Sequence, residues 1–264
     1  VIKDFGLEGD AHAGKWHRQV SFLSADIVDE FNEKGASVIE GDFGENILAY
    51  GIDFKKLPVG TKLICNDAKF EITQIGKECH SHCEIYKRVG DCIMPREGIF
   101  AKVLESGTIK VGDKIEVIYP EKDMPYMAAV MTLSDKGSRG ERVDTSGPRA
   151  AEILKEHGFK IVEEILLPDE EVQIKKHLIR LSDSRQVDLI ITTGGTGLSP
   201  RDRTPEATLA VADRNVPGIS EAIRAGSMTI TKRAMLSRGV SVIRKKTLII
   251  NLPGSKKAVE ESLS

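Results

Sequence analysis

The run Thr192-Thr193-Gly194-Gly195-Thr196-Gly197-Leu198-Ser199-Pro200-Arg201-Asp202-Arg203-Thr204-Pro205-Glu206 carries the densest chemistry in the chain. Three glycines within 194–197 let backbone N–H groups turn toward one point, and such a nest binds phosphate. A helix opening just after it adds its dipole, and Thr204 and Pro205 fit an N-cap and a first helical residue. No Gly-Lys-Ser/Thr follows, so this is not the Walker pattern, and it is not the dinucleotide fingerprint. Asp202 in this run and Asp169 in Leu167-Pro168-Asp169-Glu170 supply carboxylates. Phosphoryl and nucleotidyl transfer use Mg²⁺ held by carboxylates, because the metal offsets phosphate charge in the transition state. Arg201 and Arg203 are of the type that pairs with phosphate, and equally of the type that sits solvated on a loop. Gly-rich turns between strands and helices are common. Convergence singles this one out, since Thr132-Leu133-Ser134-Asp135 and Asn251-Leu252-Pro253-Gly254-Ser255 also end apolar runs with polar or glycine residues.

A second cluster lies in the first half, which holds all four cysteines, Cys65, Cys79, Cys83 and Cys92. Residues 76–98 read GKECHSHCEIYKRVGDCIMPREG. Cys79, His80, His82, Cys83 and Cys92 offer sulfur and nitrogen donors, and zinc takes four of these in a tetrahedron. The Cys-x3-Cys spacing has no second matching pair, so a single thiolate facing a pocket is the rival reading and simple packing the plain one. Cys83 stands just before the amphipathic Glu84-Ile85-Tyr86-Lys87-Arg88, and a helix opening there favours a thiolate. Cys65 sits inside an apolar strand and is expected to be buried and inert. Disulfide scaffolds are denser in cysteine and spread it more widely, which points to reduced thiols and a cytoplasmic protein.

The elements that must carry these residues differ between the halves. In residues 1–118, runs at 20–23, 62–65, 70–75, 99–104 and 114–118 read as short strands, with one helix at 24–34 opened by Ser24. Many short strands with few helices predict a mostly-β barrel or sandwich. Residues 119–125 hold two prolines and three charges and read as a linker. From residue 126 strands and helices alternate. Strands are expected at 127–133, 159–167, 187–193 and 247–252, and helices at 145–157, 170–181, 205–212, 219–226 and from Ser255. That order predicts an α/β three-layer domain at 126–264 with a mostly parallel sheet, its ligand site at the carboxyl ends of the strands.

Length and composition agree with two domains. The chain has 264 residues, and one core saturates near ~250. Apolar residues make up 40% and charged residues 30%, which excludes disorder as the main state. Lys plus Arg total 38 and Asp plus Glu 40, a balance unlike that of a general nucleic-acid binder. No run approaches the ~18–20 apolar residues of a membrane span. Both ends have a cut look, which leaves a targeting segment upstream open.

The string TTGGTGLSPRDRTPEAT, flanked in order by TLSD, DTSGP, LPD, VPG, AMLSR and NLPGS, closely resembles molybdopterin adenylyltransferases of the MogA/MoaB type over 127–263. The resemblance implies binding of molybdopterin and ATP with Mg²⁺, and transfer of AMP to the terminal phosphate of the pterin with release of pyrophosphate. By position, Asp202 and Asp169 match the two aspartates implicated in catalysis and in holding the metal. Gly194, Gly195, Thr196 and Gly197 match the nucleotide-phosphate loop. Ser199, Arg201, Thr204 and Glu206 join them as cofactor-binding residues, as do Asp135, Pro253, Gly254 and Ser255. The family implies a homotrimer assembled through this half. A carrier or storage protein that binds the pterin without catalysis is the rival reading.

LEGDAHAG, WHRQVS, GDFGENI and GDCIMPREGIFAKVL resemble the MOSC domain over 2–118, without its usual opening strand. That domain is barrel-like and carries one characteristic cysteine, which maps by position to Cys83. The implied role is to bind molybdenum cofactor or to carry sulfur. Asp10, His12, His17, Arg18, Glu45, Asn46, Arg96 and Glu97 are then expected along its cleft.

Overall fold

A computed structural model describes residues 1–77 and 84–263, and the chain divides into two compact units, Val1–Asp123 and Met124–Ser264. The first unit runs β1 (Val20–Ser24), α1 (Ala25–Glu33), β2 (Ile47–Ala49), β3 (Lys62–Cys65), β4 (Ala68–Ile75), α2 (Glu84–Val89), α3 (Met94–Glu97), β5 (Ile99–Glu105) and β6 (Glu116–Ile118). Its six strands form one sheet in the order β2-β1-β5-β4-β3-β6, antiparallel except for β1 with β2.

Successive residues of a strand face opposite sides, and β1 is buried on both. Phe22 joins Phe70 and Phe54 on one face, with ring centroids 5.3 and 5.6 Å away. Leu23 joins Val28 and Phe31 of α1, Ile85 of α2 and Met94 of α3 on the other. Ile47 and Ala49 from one edge of the sheet and Val117 from the opposite edge pack on the same Phe22 cluster, so the sheet curls around it. Register shifts in the β4–β5 pairing at Lys69/Phe70 and Ile72/Gln74 help it bend. The unit is mostly β and curled, with β2 and β6 as its edges.

The second unit runs β7 (Met127–Leu133), α4 (Asp135–Ser138), α5 (Ser146–Glu156), β8 (Lys160–Leu167), α6 (Glu171–Ile179), β9 (Leu189–Thr193), α7 (Thr204–Ala210), β10 (Arg214–Asn215), α8 (Pro217–Met228), β11 (Ser241–Arg244), β12 (Thr247–Leu252) and α9 (Lys256–Leu263). The sheet order is β10-β11-β12-β9-β7-β8, parallel from β12 through β8 and antiparallel at β10 and β11. Alternation along β7 splits the core into two faces. Ala129, Met131 and Leu133 pack with Ile174 and Leu178 of α6 and Ala207 of α7. Ala128 and Val130 pack with Ala150 and Leu154 of α5 and Val259 of α9. The result is the three-layer α/β arrangement, with the carboxyl ends of β7, β8, β9 and β12 on one rim of the sheet.

Two capping expectations change. Ser24 precedes α1 in extended conformation, but its hydroxyl donates to Asp26 at 3.3 Å and caps no backbone N–H. The N-cap of α7 is Arg203; Thr204 is already helical, and its hydroxyl donates to the Gly194 carbonyl at 2.9 Å and so caps no N–H of the helix.

Candidate functional site

The turn after β9 is shaped by what surrounds it. Gly194 has φ +102°, and a Cβ there would stand 2.3 Å from the carbonyl oxygen of Leu133 at the end of β7. Gly195 has φ +62°, and a Cβ there would stand 2.3 Å from Thr204 Oγ1 and 2.8 Å from Asp169 Oδ1. Positive φ and close approach both require glycine at these two positions. The chain therefore folds back on the ends of β7 and β8, which brings Asp135, Asp169 and the 194–206 run together.

Asp135 and Asp169 hold one another reciprocally. The Asp135 N–H donates to Asp169 Oδ2 at 3.1 Å, and the Asp169 N–H donates to Asp135 Oδ1 at 3.0 Å. Their carboxyls then titrate in opposite directions. Arg201 donates from Nε and Nη2 to both oxygens of Asp135, at 3.0 and 2.8 Å, and holds that carboxyl below its ordinary value. Burial pushes Asp169 up, with the carboxylates of Asp135 and Asp202 adding to it, against the lowering contact of the Asp135 N–H. Asp169 Oδ1 is buried and has no hydrogen-bond partner. Asp202 closes the far side of the turn, its Oδ2 accepting the Ser199 N–H at 2.9 Å and lying 2.8 Å from where a Cβ on Gly197 would stand.

Several expected phosphate partners are paired within the protein. Arg201 also donates to Glu170 at 2.8 Å, and Arg203 pairs with Glu171 at 2.6 Å. Glu206 pairs with Arg238, and its Oε2 is buried without a partner. Ser199 serves the turn, its hydroxyl accepting from the Arg201 N–H at 3.3 Å. The buried Thr193 hydroxyl donates to the Pro253 carbonyl at 2.8 Å, and a Cβ on Gly254 would lie 3.0 Å from Gly194 Cα. That packing brings the Pro253-Gly254-Ser255 turn against the glycine run, while Thr196 is buried within it.

Two residues of this rim escaped the residue-by-residue reading. Arg238 reaches the turn from just before β11, as described below. Asn251 is buried and donates to the hydroxyls of Thr192 and Thr208 at 2.9 and 3.0 Å, tying β12 to β9 and α7. Each stood in a quoted string, AMLSR or NLPGS, but an arginine and an asparagine near strand ends carry no spacing signal of their own.

In the first unit, Cys79, His80, His82 and Cys83 lie outside the described residues. Cys65 is buried as expected, and burial followed by Asp113 pushes its thiol up. Cys92 is buried too, and its N–H donates to Asp91, whose carboxyl Arg96 holds down at about 2. Among the expected cleft residues, Asn46 donates to Asp10 at 2.8 Å and accepts from the Ser21 N–H at 2.9 Å. Arg18 lies over the rings of Trp16 and Phe100. Glu97 pairs with Lys55 at 2.9 Å. Among the described residues no group of three His, Cys, Asp or Glu stands together to hold a metal, and no helix is long and apolar enough to cross a membrane.

Comparison with known proteins separates the two units. Residues 129–264 match the family described as "Probable molybdopterin binding domain", and residues 9–116 match the MOSC domain. The molybdopterin adenylyltransferase of Escherichia coli (strain K12) is 44% identical over 137 residues, which is 51% of this chain and 70% of that protein. That of Helicobacter pylori (strain J99) is 43% identical over 136 residues, 51% of this chain and 77% of that protein. Among solved structures, the molybdopterin biosynthesis enzyme MoaB of Thermus thermophilus is 49% identical and superposes with a TM-score of 0.50, covering 52% of this chain and 87% of that one. The Mog protein of Mycobacterium ulcerans is 40% identical with the same TM-score, covering 52% and 90%. The glycine turn, the opposed aspartates and this similarity coincide in one unit, and the chain belongs to the molybdopterin-binding family, with a MOSC domain as its first half.

Proposed function

We propose that the second unit is a molybdopterin adenylyltransferase acting in molybdenum cofactor biosynthesis. The observation that carries the reading is the buried, unpartnered Asp169 Oδ1 facing the glycine turn, with Asp202 closing that turn. A carboxylate oxygen in that condition suits a cation. Asp169 and Asp202 as a pair of carboxylates suit Mg²⁺, which takes one or two carboxylates and completes its shell from substrate phosphates and water. Mg²⁺ bound at Asp169 and Asp202 would offset the charge of the ATP phosphates. The N–H groups of Gly197 and Leu198 hold phosphate oxygens, and Arg201 exchanges its carboxylate partners for them. An oxygen of the terminal phosphate of molybdopterin attacks the α-phosphorus of ATP, the bond to the β-phosphate oxygen breaks, and pyrophosphate leaves. Pyrophosphate release with ATP, Mg²⁺ and molybdopterin tests this, and molybdopterin binding without release would mark a carrier instead.

The adenylyltransferase half is proposed to assemble as a homotrimer. Leu198, Met235 and Leu236 are exposed large apolar side chains of this unit, 49–66% accessible. Light scattering at micromolar concentration is expected to give three chains per particle, and a monomer would count against it.

For the MOSC half the proposal is a site that binds molybdenum cofactor or carries sulfur on Cys83. The two described cysteines are buried, so limiting iodoacetamide at neutral pH is expected to label Cys83 before Cys65 or Cys92. Peptide mapping checks it. Labelling of Cys65 or Cys92 first would sink the assignment, and labelling of Cys79 first would move the role to that residue.

A further inference from the structure

We infer that Arg238 is the positioning residue of the phosphate turn, a role that rests on the adenylyltransferase reading above. Arg238 is 41 residues from Gly197 in sequence, yet every donor group on it faces this one loop. Its backbone N–H donates to the Thr196 carbonyl at 2.9 Å, and its Nε donates to the Gly197 carbonyl at 2.7 Å. One terminal nitrogen donates to the Asp202 carbonyl and the other to the Glu206 carboxylate. The two ends of the loop, after β9 and at the first turn of α7, are thus fastened to a single guanidinium.

The consequence follows from peptide geometry. In a trans peptide the carbonyl and the following N–H point in opposite directions, and the described chain has no cis bond. Turning the Thr196 and Gly197 carbonyls toward Arg238 therefore turns the N–H groups of Gly197 and Leu198 away from it. Neither N–H donates to an acceptor among the described residues. Arg238 holds the carbonyls back so that the N–H face is presented to phosphate. The same bond to the Asp202 carbonyl fixes the backbone from which the Asp202 carboxylate projects.

Glu206 completes the device. Burial alone would raise its carboxyl, but the bond from Arg238, its own backbone N–H and the charges of Arg238 and Arg203 together hold it below its ordinary value. Without Arg238, an uncompensated carboxylate would stand beside the phosphates. Lysine cannot replace the arrangement, because an ammonium is a point charge and lacks the planar fork that reaches three acceptors in fixed directions.

The test compares full-length wild type, Arg238→Gln and Arg238→Lys by two measurements. In hydrogen exchange of the ligand-free proteins, amides of residues 195–203 are expected to exchange roughly tenfold faster in both variants, with β7 and β12 unchanged. In pyrophosphate release, kcat is expected to fall about 10²-fold in Arg238→Gln and about tenfold in Arg238→Lys. The Mg²⁺ concentration for half-maximal rate should rise while KM for molybdopterin stays within about twofold. Wild-type exchange in the loop would overturn the inference. So would faster exchange spread equally over the sheet, which marks general destabilisation. A wild-type protein that releases no pyrophosphate would sink the adenylylation reading and leave exchange to decide the role of Arg238. If Arg238→Gln does not fold, Arg238→Lys carries both comparisons.

Discussion

Asp202→Asn is expected to lower AMP transfer by about 10²-fold or more and to leave the fold intact. The structure sharpens the reason. Asp202 has a local duty, since its Oδ2 accepts the Ser199 N–H at 2.9 Å. Asparagine keeps an acceptor of the same size there, and the backbone carbonyl that meets Arg238 is unaltered. What asparagine removes is the charge. With a metal-organising carboxylate contributing ~3 kcal/mol to the transition state, the rate falls by roughly two orders of magnitude. Pyrophosphate release, read beside the unfolding midpoint, checks both halves of the statement. Wild-type release by a folded variant would refute the role of Asp202.

The second unit is the more legible half because its central strands, β7 and β9, are buried on both faces and read as apolar runs. Residues 127–133 and 247–252 are strands over those spans, and 187–193 loses only its first two residues. The hairpin partner β11 (Ser241–Arg244) was invisible for a specific reason. Its turn runs through Lys245 at φ +51°, where Gly, Asn or Asp would normally announce a hairpin. In the first unit β2 was missed because three half-buried residues make no periodicity. The helix expected over 170–181 stops at Ile179 and continues as a π turn over Arg180–Ser184, a change of hydrogen-bond pattern that composition does not encode. At the site, glycine positions and carboxylates were readable from type and order. Which carboxylate pairs with which arginine was not, because Asp135 and Arg201 lie 66 residues apart and meet only through the parallel sheet.

Asp169→Asn is expected to remove activity and to make the protein more stable at neutral pH. Asp169 keeps one oxygen on the Asp135 N–H, and asparagine preserves that acceptor. The other oxygen is buried without a partner, and burial raises its carboxyl above the ordinary value near ~3.9. The direction of the pH effect follows from that raised value. The folded state holds the Asp169 proton more tightly than the unfolded chain does. The contribution of Asp169 to stability is therefore fully present below the unfolded pKa. It is lost as pH rises through the folded one, and is level above that. Asparagine stays uncharged at every pH and has no such loss, so the variant should match wild type in acid and be the more stable of the two at neutral pH. Denaturant midpoints across pH 3 to 8 measure the difference, and pyrophosphate release measures its functional cost, expected at about 10²-fold or more. A variant less stable than wild type at neutral pH would show that Asp169 is held for packing, and would remove the unpartnered carboxylate from the argument for a cation.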